Sequence, residues 1–160
     1  MHAVHVANNF SISAITPEDK PSLVKYLNDK DIYLRTLNIP FPYTPADAEA
    51  WLAIVDDWTR DNAGTPTSLC IRSPQGELVG GIGFNGLIIG KTHRAELGYW
   101  LAKPYWGQGI MTAAVDPVCK VAFSDFHLEK ITAHIFSTNL GDVLNYTNSC
   151  FNATHRHLAL

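Results

Sequence analysis

Apolar and polar positions along the chain change period several times, and each change marks an element. Residues 10–15 (FSISAI) alternate, the period-two signature of a strand with one buried face. Thr16-Pro17-Glu18-Asp19 follows. A Thr cap, a Pro at the first helical position and acids in the first turn open a helix. Leu23, Val24 and Leu27 carry its apolar face. Three prolines in residues 38–45 (NIPFPYTP) require a loop. Thr44-Pro45-Ala46-Asp47 repeats the cap-and-proline signature. Ala50, Trp51, Ile54, Val55 and Trp58 then recur at helical spacing, and Gly64 closes the run.

The middle of the chain reads as strands. Residues 67–72 and 77–84 flank a turn at Ser73-Pro74-Gln75-Gly76, and Asn85-Gly86 marks a second turn. Residues 93–102 form a third strand, followed by a glycine-containing loop and a helical stretch over about 107–124. Residues 130–136 are apolar and partly β-branched, which predicts a strand, and residues 139–150 suit a last helix. Strand, two helices, three strands, helix, strand, helix is the order of an α/β fold with a mainly antiparallel start. Pro117 falls inside the helix after the loop, where it costs about 3 kcal/mol, so a break at Asp116 is expected.

Composition narrows the function. The chain has 160 residues, 46% of them hydrophobic and 17% charged, which is one globular domain rather than a disordered chain. Net charge is -3 and no basic stripe is visible, so nucleic acid is not an expected partner. An anionic ligand is therefore expected to lie on backbone amides and helix ends rather than on a Lys/Arg cluster. Cys70, Cys119 and Cys150 fit neither a zinc site nor a disulfide framework, which points to a reducing cytosol. The first residues lack the apolar core of a signal peptide, and no apolar run approaches about 18 residues. A cytoplasmic protein without a membrane partner is the expectation. His93, His127 and His134 are not at metal-ligand spacing, and Cys119 lies in an apolar helical stretch, so no metal site is expected.

The stretch that carries chemistry is Gly98-Tyr99-Trp100-Leu101-Ala102-Lys103-Pro104-Tyr105-Trp106-Gly107-Gln108-Gly109-Ile110-Met111-Thr112. A strand ends, a loop with two glycines follows, and a helix begins. Glycines let backbone N–H groups converge, and the helix N-terminus adds its own, which together suit phosphate. Gly81-Ile82-Gly83-Phe84-Asn85-Gly86 also matches the dinucleotide fingerprint, but a further strand follows it instead of the helix the fingerprint needs. Its glycines are assigned to a strand and an Asn-Gly turn.

The string GYWLAKPYWGQGIMTAA resembles the acetyl-CoA-binding segment of the GCN5-related N-acetyltransferase (GNAT) superfamily. The likeness is greatest to the branch with the ribosomal-protein alanine acetyltransferases. Pro42-Tyr43-Thr44 with Asp47-Ala48-Glu49-Ala50-Trp51-Leu52 is similar to that branch's second helix, and Leu128-Glu129-Lys130-Ile131 with Asn139 to its fifth strand and following asparagine. The likeness covers about residues 10–140 of a single domain over 1–160. It implies the GNAT fold, a mixed, mostly antiparallel sheet flanked by helices.

The resemblance also implies acetyl-CoA as co-substrate and no metal. The residues bordering acetyl-CoA would be Trp100, Leu101, Ala102, Gly107, Gln108, Gly109, Ile110, Met111, Thr112 and Asn139. Acetyl would pass to a primary amine, on a protein N-terminus or a small molecule, through a ternary complex. Glu96, on the strand leading to the loop and on one face with Gly98 and Trp100, would be the base. A backbone N–H near Leu101 would meet the oxyanion. Tyr146, seven residues after Asn139, would be the general acid. The loop around Phe41, Pro42 and Tyr43 would border the acceptor groove.

Three departures from the pattern stand out. Pro104 replaces the Arg or Gln common at the first loop position, and Pro117 lies within the helix. Residues 141–160 are atypical, and ten residues after Cys150 do not supply the two strands that complete the family's sheet. A truncated chain with an exposed sheet edge is expected, and homodimer formation through that edge with it. The alternative function is then a catalytically impaired CoA-binding or interaction module, or an inactive fragment.

Overall fold

The computed structural model describes residues 4–133. Among the described residues, six strands form one sheet in sequence order: β1 (Val4–His5), β2 (Ser11–Ala14), β3 (Ser68–Arg72), β4 (Leu78–Phe84), β5 (Arg94–Leu101) and β6 (Lys130–Thr132). Neighbours from β1 to β5 run antiparallel, and β6 joins β5 in parallel. Four α-helices accompany them within the same described residues: α1 (Lys20–Leu27), α2 (Lys30–Tyr33), α3 (Pro45–Asp61) and α4 (Ile110–Ser124). This is the predicted mixed, mostly antiparallel sheet flanked by helices. The predicted helix at 139–150, Asn139, Tyr146 and the atypical ending with its sheet-edge homodimer lie outside the described residues.

Both cap-and-proline signatures form capping boxes. The Thr44 N–H donates to Asp47 Oδ2 at 2.7 Å, and the Asp47 N–H donates back to Thr44 Oγ1 at 3.3 Å. At Thr16 the box opens a 3-10 turn, Pro17–Asp19, and α1 begins only at Lys20. Asp19 has a second task. Arg72 on β3 grips its carboxylate through two nitrogens, at 2.7 and 2.9 Å, which ties the start of α1 to the sheet.

The core has two layers. On one face of the sheet Ile12, Ile71, Ile82, Phe84, Leu97 and Leu101 pack against α4. On the other, Cys70 and Leu78 meet Leu23 and Leu27 of α1 and Ala48 of α3. The helix does not break at Asp116: α4 runs from Ile110 to Ser124 through Pro117. The reason is burial. Ile110, Met111, Ala114, Val115, Val118, Cys119 and Ala122 are all buried. Burying one such large side chain contributes about 1.5–3 kcal/mol, so several outweigh one interior proline.

Candidate active site

β5 aims the site. Its even positions, Glu96, Gly98 and Trp100, share the face toward α1 and α3, while Leu97 and Leu101 pack on the α4 side. The Ala102 N–H donates to the Val79 carbonyl at 2.8 Å. Backbone groups alternate along an antiparallel pair, so Leu101 turns its own N–H and C=O away from β4. Its carbonyl accepts the Trp106 indole N–H at 2.6 Å.

The chain then turns sharply into α4. Lys103–Tyr105 make a 3-10 turn in which Pro104 fits the first positions. Gly107 and Gly109 adopt φ of 72° and 73°, a left-handed backbone that favours glycine. Gly109 caps α4, and the Gln108 side-chain amide donates to the Pro104 carbonyl at 3.0 Å, closing the loop on itself. In an α-helix the N–H groups of the first turn point toward the N-terminus, which in α4 is the corner at Gly107 and Gly109.

A cavity of about 390 Å³ lies over this corner. Trp100, Leu101, Gly107, Gln108, Gly109, Ile110, Met111 and Thr112 line it, which brings together eight of the ten residues assigned to acetyl-CoA by the sequence resemblance. Ala102 does not: it is buried, with its N–H on Val79 and its carbonyl accepting from Tyr105. Arg35 and Thr36, just after α2, line it too, and the Arg35 guanidinium lies 4.9 Å from the centre of the Trp106 ring. Sequence reasoning missed Arg35, because nothing local ties a residue in that segment to the glycine loop.

A second cavity, of about 310 Å³, lies between the sheet and helices α1 and α3. Leu23, Ile39, Trp51 and Leu78 give it apolar walls, and Tyr43, Asp47, Ser68 and Asn85 supply polar groups. Of the loop assigned to the acceptor groove from sequence, Tyr43 lines this cavity, together with Pro40, whereas Phe41 and Pro42 are exposed and do not. Burial, with the nearby Asp47 charge second, pushes the Tyr43 phenol up to about 12. Hydrogen bonds from the Thr44 hydroxyl and then from its N–H hold the Asp47 carboxyl below its ordinary value. Tyr99 and Trp100 line both cavities, so the two adjoin at the end of β5.

Glu96 is exposed and pairs in register with Thr132 of β6. It shares a face with Gly98 and Trp100 but lines neither cavity. Two glycines of the dinucleotide-like motif, Gly81 and Gly83, serve packing within β4, and Gly86, at φ 67°, lies in the turn after it. A Cβ on Gly81 would stand 2.5 Å from the Trp100 indole nitrogen, and one on Gly83 would stand 2.4 Å from the Thr67 carbonyl. Among the described residues no three His, Cys, Asp or Glu side chains are grouped to hold a metal, and no helix is long and apolar enough to cross a membrane.

The family model described as the acetyltransferase (GNAT) domain matches residues 9–143. The chain belongs to the GNAT acetyltransferase family. A putative ribosomal N-acetyltransferase of Bacillus subtilis is 28% identical to this GNAT chain over 135 residues, 82% of the chain and 71% of that protein. The ribosomal-protein-S5-alanine acetyltransferase of Vibrio fischeri superposes with a TM-score of 0.76 at 16% identity, covering 92% of the chain and 81% of that structure. The spermidine N-acetyltransferase of Vibrio cholerae, solved with CoA and spermine, superposes with a TM-score of 0.69 at 18% identity, over 89% and 79% respectively. These structural likenesses establish the fold of an N-acetyltransferase domain.

Proposed function

We propose that this GNAT domain moves the acetyl group of acetyl-CoA to a primary amine, with both held at once in the adjoining cavities. The observation that carries this reading is the junction itself. The larger cavity ends on two left-handed glycines and a helix N-terminus, and it meets the apolar cavity at Tyr99 and Trp100.

Amides of Gly107, Gln108, Gly109 and the first turn of α4 bind the pyrophosphate, and Arg35 adds a positive charge beside them. Trp100 separates co-substrate from acceptor. The Leu101 N–H, directed away from β4, donates to the carbonyl oxygen of the thioester as it gains charge. Acetyl-CoA supplies the activated acetyl carbonyl. Glu96 receives the ammonium proton, through water because its side chain lies outside both cavities. Tyr146 returns a proton to the sulfur, and Asn139 contacts the co-substrate. The acceptor is a protein N-terminus or a small amine, and the setting is the cytoplasm. No metal takes part in this scheme.

The test is a thermal-shift titration with acetyl-CoA followed by thiol release with a panel of amines. A rise in melting temperature and thiol release with at least one amine are expected. No shift refutes the reading, and a shift without release for any amine leaves a CoA-binding module.

A further inference from the structure

The transfer proposed above leaves its acceptor unnamed, and one row of the sheet bears on it. Ser68, Gly83 and Gly98 stand in register across β3, β4 and β5. The next row is Cys70, Gly81 and Trp100, which faces α1 and α3. Ser68, Gly83 and Gly98 of the first row and Gly81 and Trp100 of the second form the floor of the apolar cavity.

The two glycines of the first row differ. Gly83 has the Thr67 carbonyl where its Cβ would stand, which draws β3 and Ser68 close. Gly98 has no such neighbour: its Cβ would meet only Asn85 Nδ2, at 3.8 Å. Its missing side chain leaves open space beside Trp100. Ser68 stands at the far end of that space. It is 5% exposed, and its hydroxyl has no hydrogen-bond partner among the described residues. An unpaired buried hydroxyl destabilises the fold, and a ligand group that pairs with it recovers the loss.

Charge narrows the class further. Asp47 is the only ionised side chain among the described residues lining this cavity, and Thr44 already engages its Oδ2. A polyamine, with several ammonium groups, finds no matching set of carboxylates there.

We infer that the acceptor is a primary amine with an apolar body of aromatic size and one uncharged polar group at its far end, which hydrogen-bonds to Ser68. The inference rests on the acetyl transfer proposed above. In the reaction the N–C bond forms, the C–S bond breaks, the ammonium proton is lost to the base and CoA leaves as its thiol. Ser68 lies two strands and two residues from Trp100, roughly 12 Å by ordinary strand spacing. A four-carbon chain between amine and phenol matches that span better than a two-carbon chain.

The experiment measures thiol release by the full chain with 4-(4-aminobutyl)phenol, 4-phenylbutylamine, tyramine, spermidine and a tetrapeptide beginning with Ala. The aminobutylphenol is expected to show the highest kcat/KM, about tenfold above its phenyl analogue, as one hydrogen bond to a buried partner predicts. Ser68→Ala should collapse that ratio to near one. Gly98→Ala, whose methyl enters open space, should raise KM for the aromatic amines about fivefold or more, with acetyl-CoA affinity measured as the fold control. Brisk turnover of spermidine or the tetrapeptide with poor turnover of the aromatic amines overturns the acceptor class alone. So does a phenol-to-phenyl ratio that Ser68→Ala leaves intact. Failure to bind acetyl-CoA, or to release thiol with any amine, refutes the transfer reading and this inference together.

Discussion

Gly109→Ala isolates what the loop contributes. Gly109 sits at φ 73° as the cap of α4, and an added Cβ there meets nothing within 4 Å. A methyl therefore clashes with no neighbour, and the whole penalty is conformational. A left-handed backbone costs a residue with a Cβ about 1–2 kcal/mol. That strain has two outlets. If the free loop relaxes to another shape, rebuilding the site restores the cost, and acetyl-CoA binds about 5- to 30-fold more weakly. If the loop keeps its shape, stability falls instead, by roughly 2–8 °C for a chain of this size. Gly76→Ala is the control. It has φ of 84° and equal open space, but it lies in the turn between β3 and β4 and lines neither cavity. Calorimetry with acetyl-CoA and thermal melting on both variants separate the outlets. The expected result is weakened binding for Gly109→Ala alone. Gly109→Val, with a branched side chain at the same φ, should lose binding altogether. Equal melting losses in both alanine variants with unchanged acetyl-CoA affinity in each would refute the loop's role.

Four other outcomes follow from the geometry. Glu96→Gln should lower turnover at pH 7 by about 10²–10⁴ with little change in acetyl-CoA affinity, and the deficit should shrink at high pH, where free amine is abundant; a fully active variant would remove Glu96 from the mechanism. Arg35→Ala should weaken acetyl-CoA about 3- to 10-fold in a salt-dependent way, read by titration at two ionic strengths, because an exposed charge over Trp106 is screened. The Tyr43 phenol is raised from its ordinary value of about 10 to about 12, so the stabilisation of its neutral form is complete below pH 10 and is lost as pH rises to 12. Urea unfolding at pH 9 and 12 should show the gap between parent and Tyr43→Phe shift by about 2–3 kcal/mol toward the variant. Gly81→Ala puts a methyl 2.5 Å from the Trp100 indole nitrogen and should cost about 1–3 kcal/mol, an overpacking loss that Trp100→Phe added to it should reduce in the same unfolding assay.

Local signals account for what was legible in the sequence. Thr44-Pro45-Ala46-Asp47 announced α3 because a capping box and a proline act within one turn, and the box is present. Gly107 and Gly109 announced the loop because positive φ is a property of single residues. The period of two placed Glu96 on the face of Trp100, yet not its exposure, which depends on how far the neighbouring helices reach along the sheet. β1 and α2, of two and four residues, are too short to show a period. Pro117 reads as a breaker locally, but the buried face of α4 decides its course, and that burial is a tertiary fact. Arg35 and Ser68 were invisible for the same reason. Each acquires its place through packing or register with residues distant in the chain.

The glycines of β4 show how one sequence feature served a different physics from the one it suggested. A G-x-G-x-x-G spacing suggests phosphate because small residues let a ligand approach a backbone. Here the approaching groups belong to the protein. The Trp100 indole lies against Gly81, and the Thr67 carbonyl lies against Gly83. The first contact fixes the residue that divides the two cavities, since Trp100 cannot settle onto the sheet if a side chain occupies Gly81. The second draws β3 inward and brings the Ser68 hydroxyl to the floor of the apolar cavity. Side chains missing from one strand thus set both the partition between the two cavities and the shape of the apolar one. Polar residues alone would not have revealed this, because the positions that matter most carry no side chain.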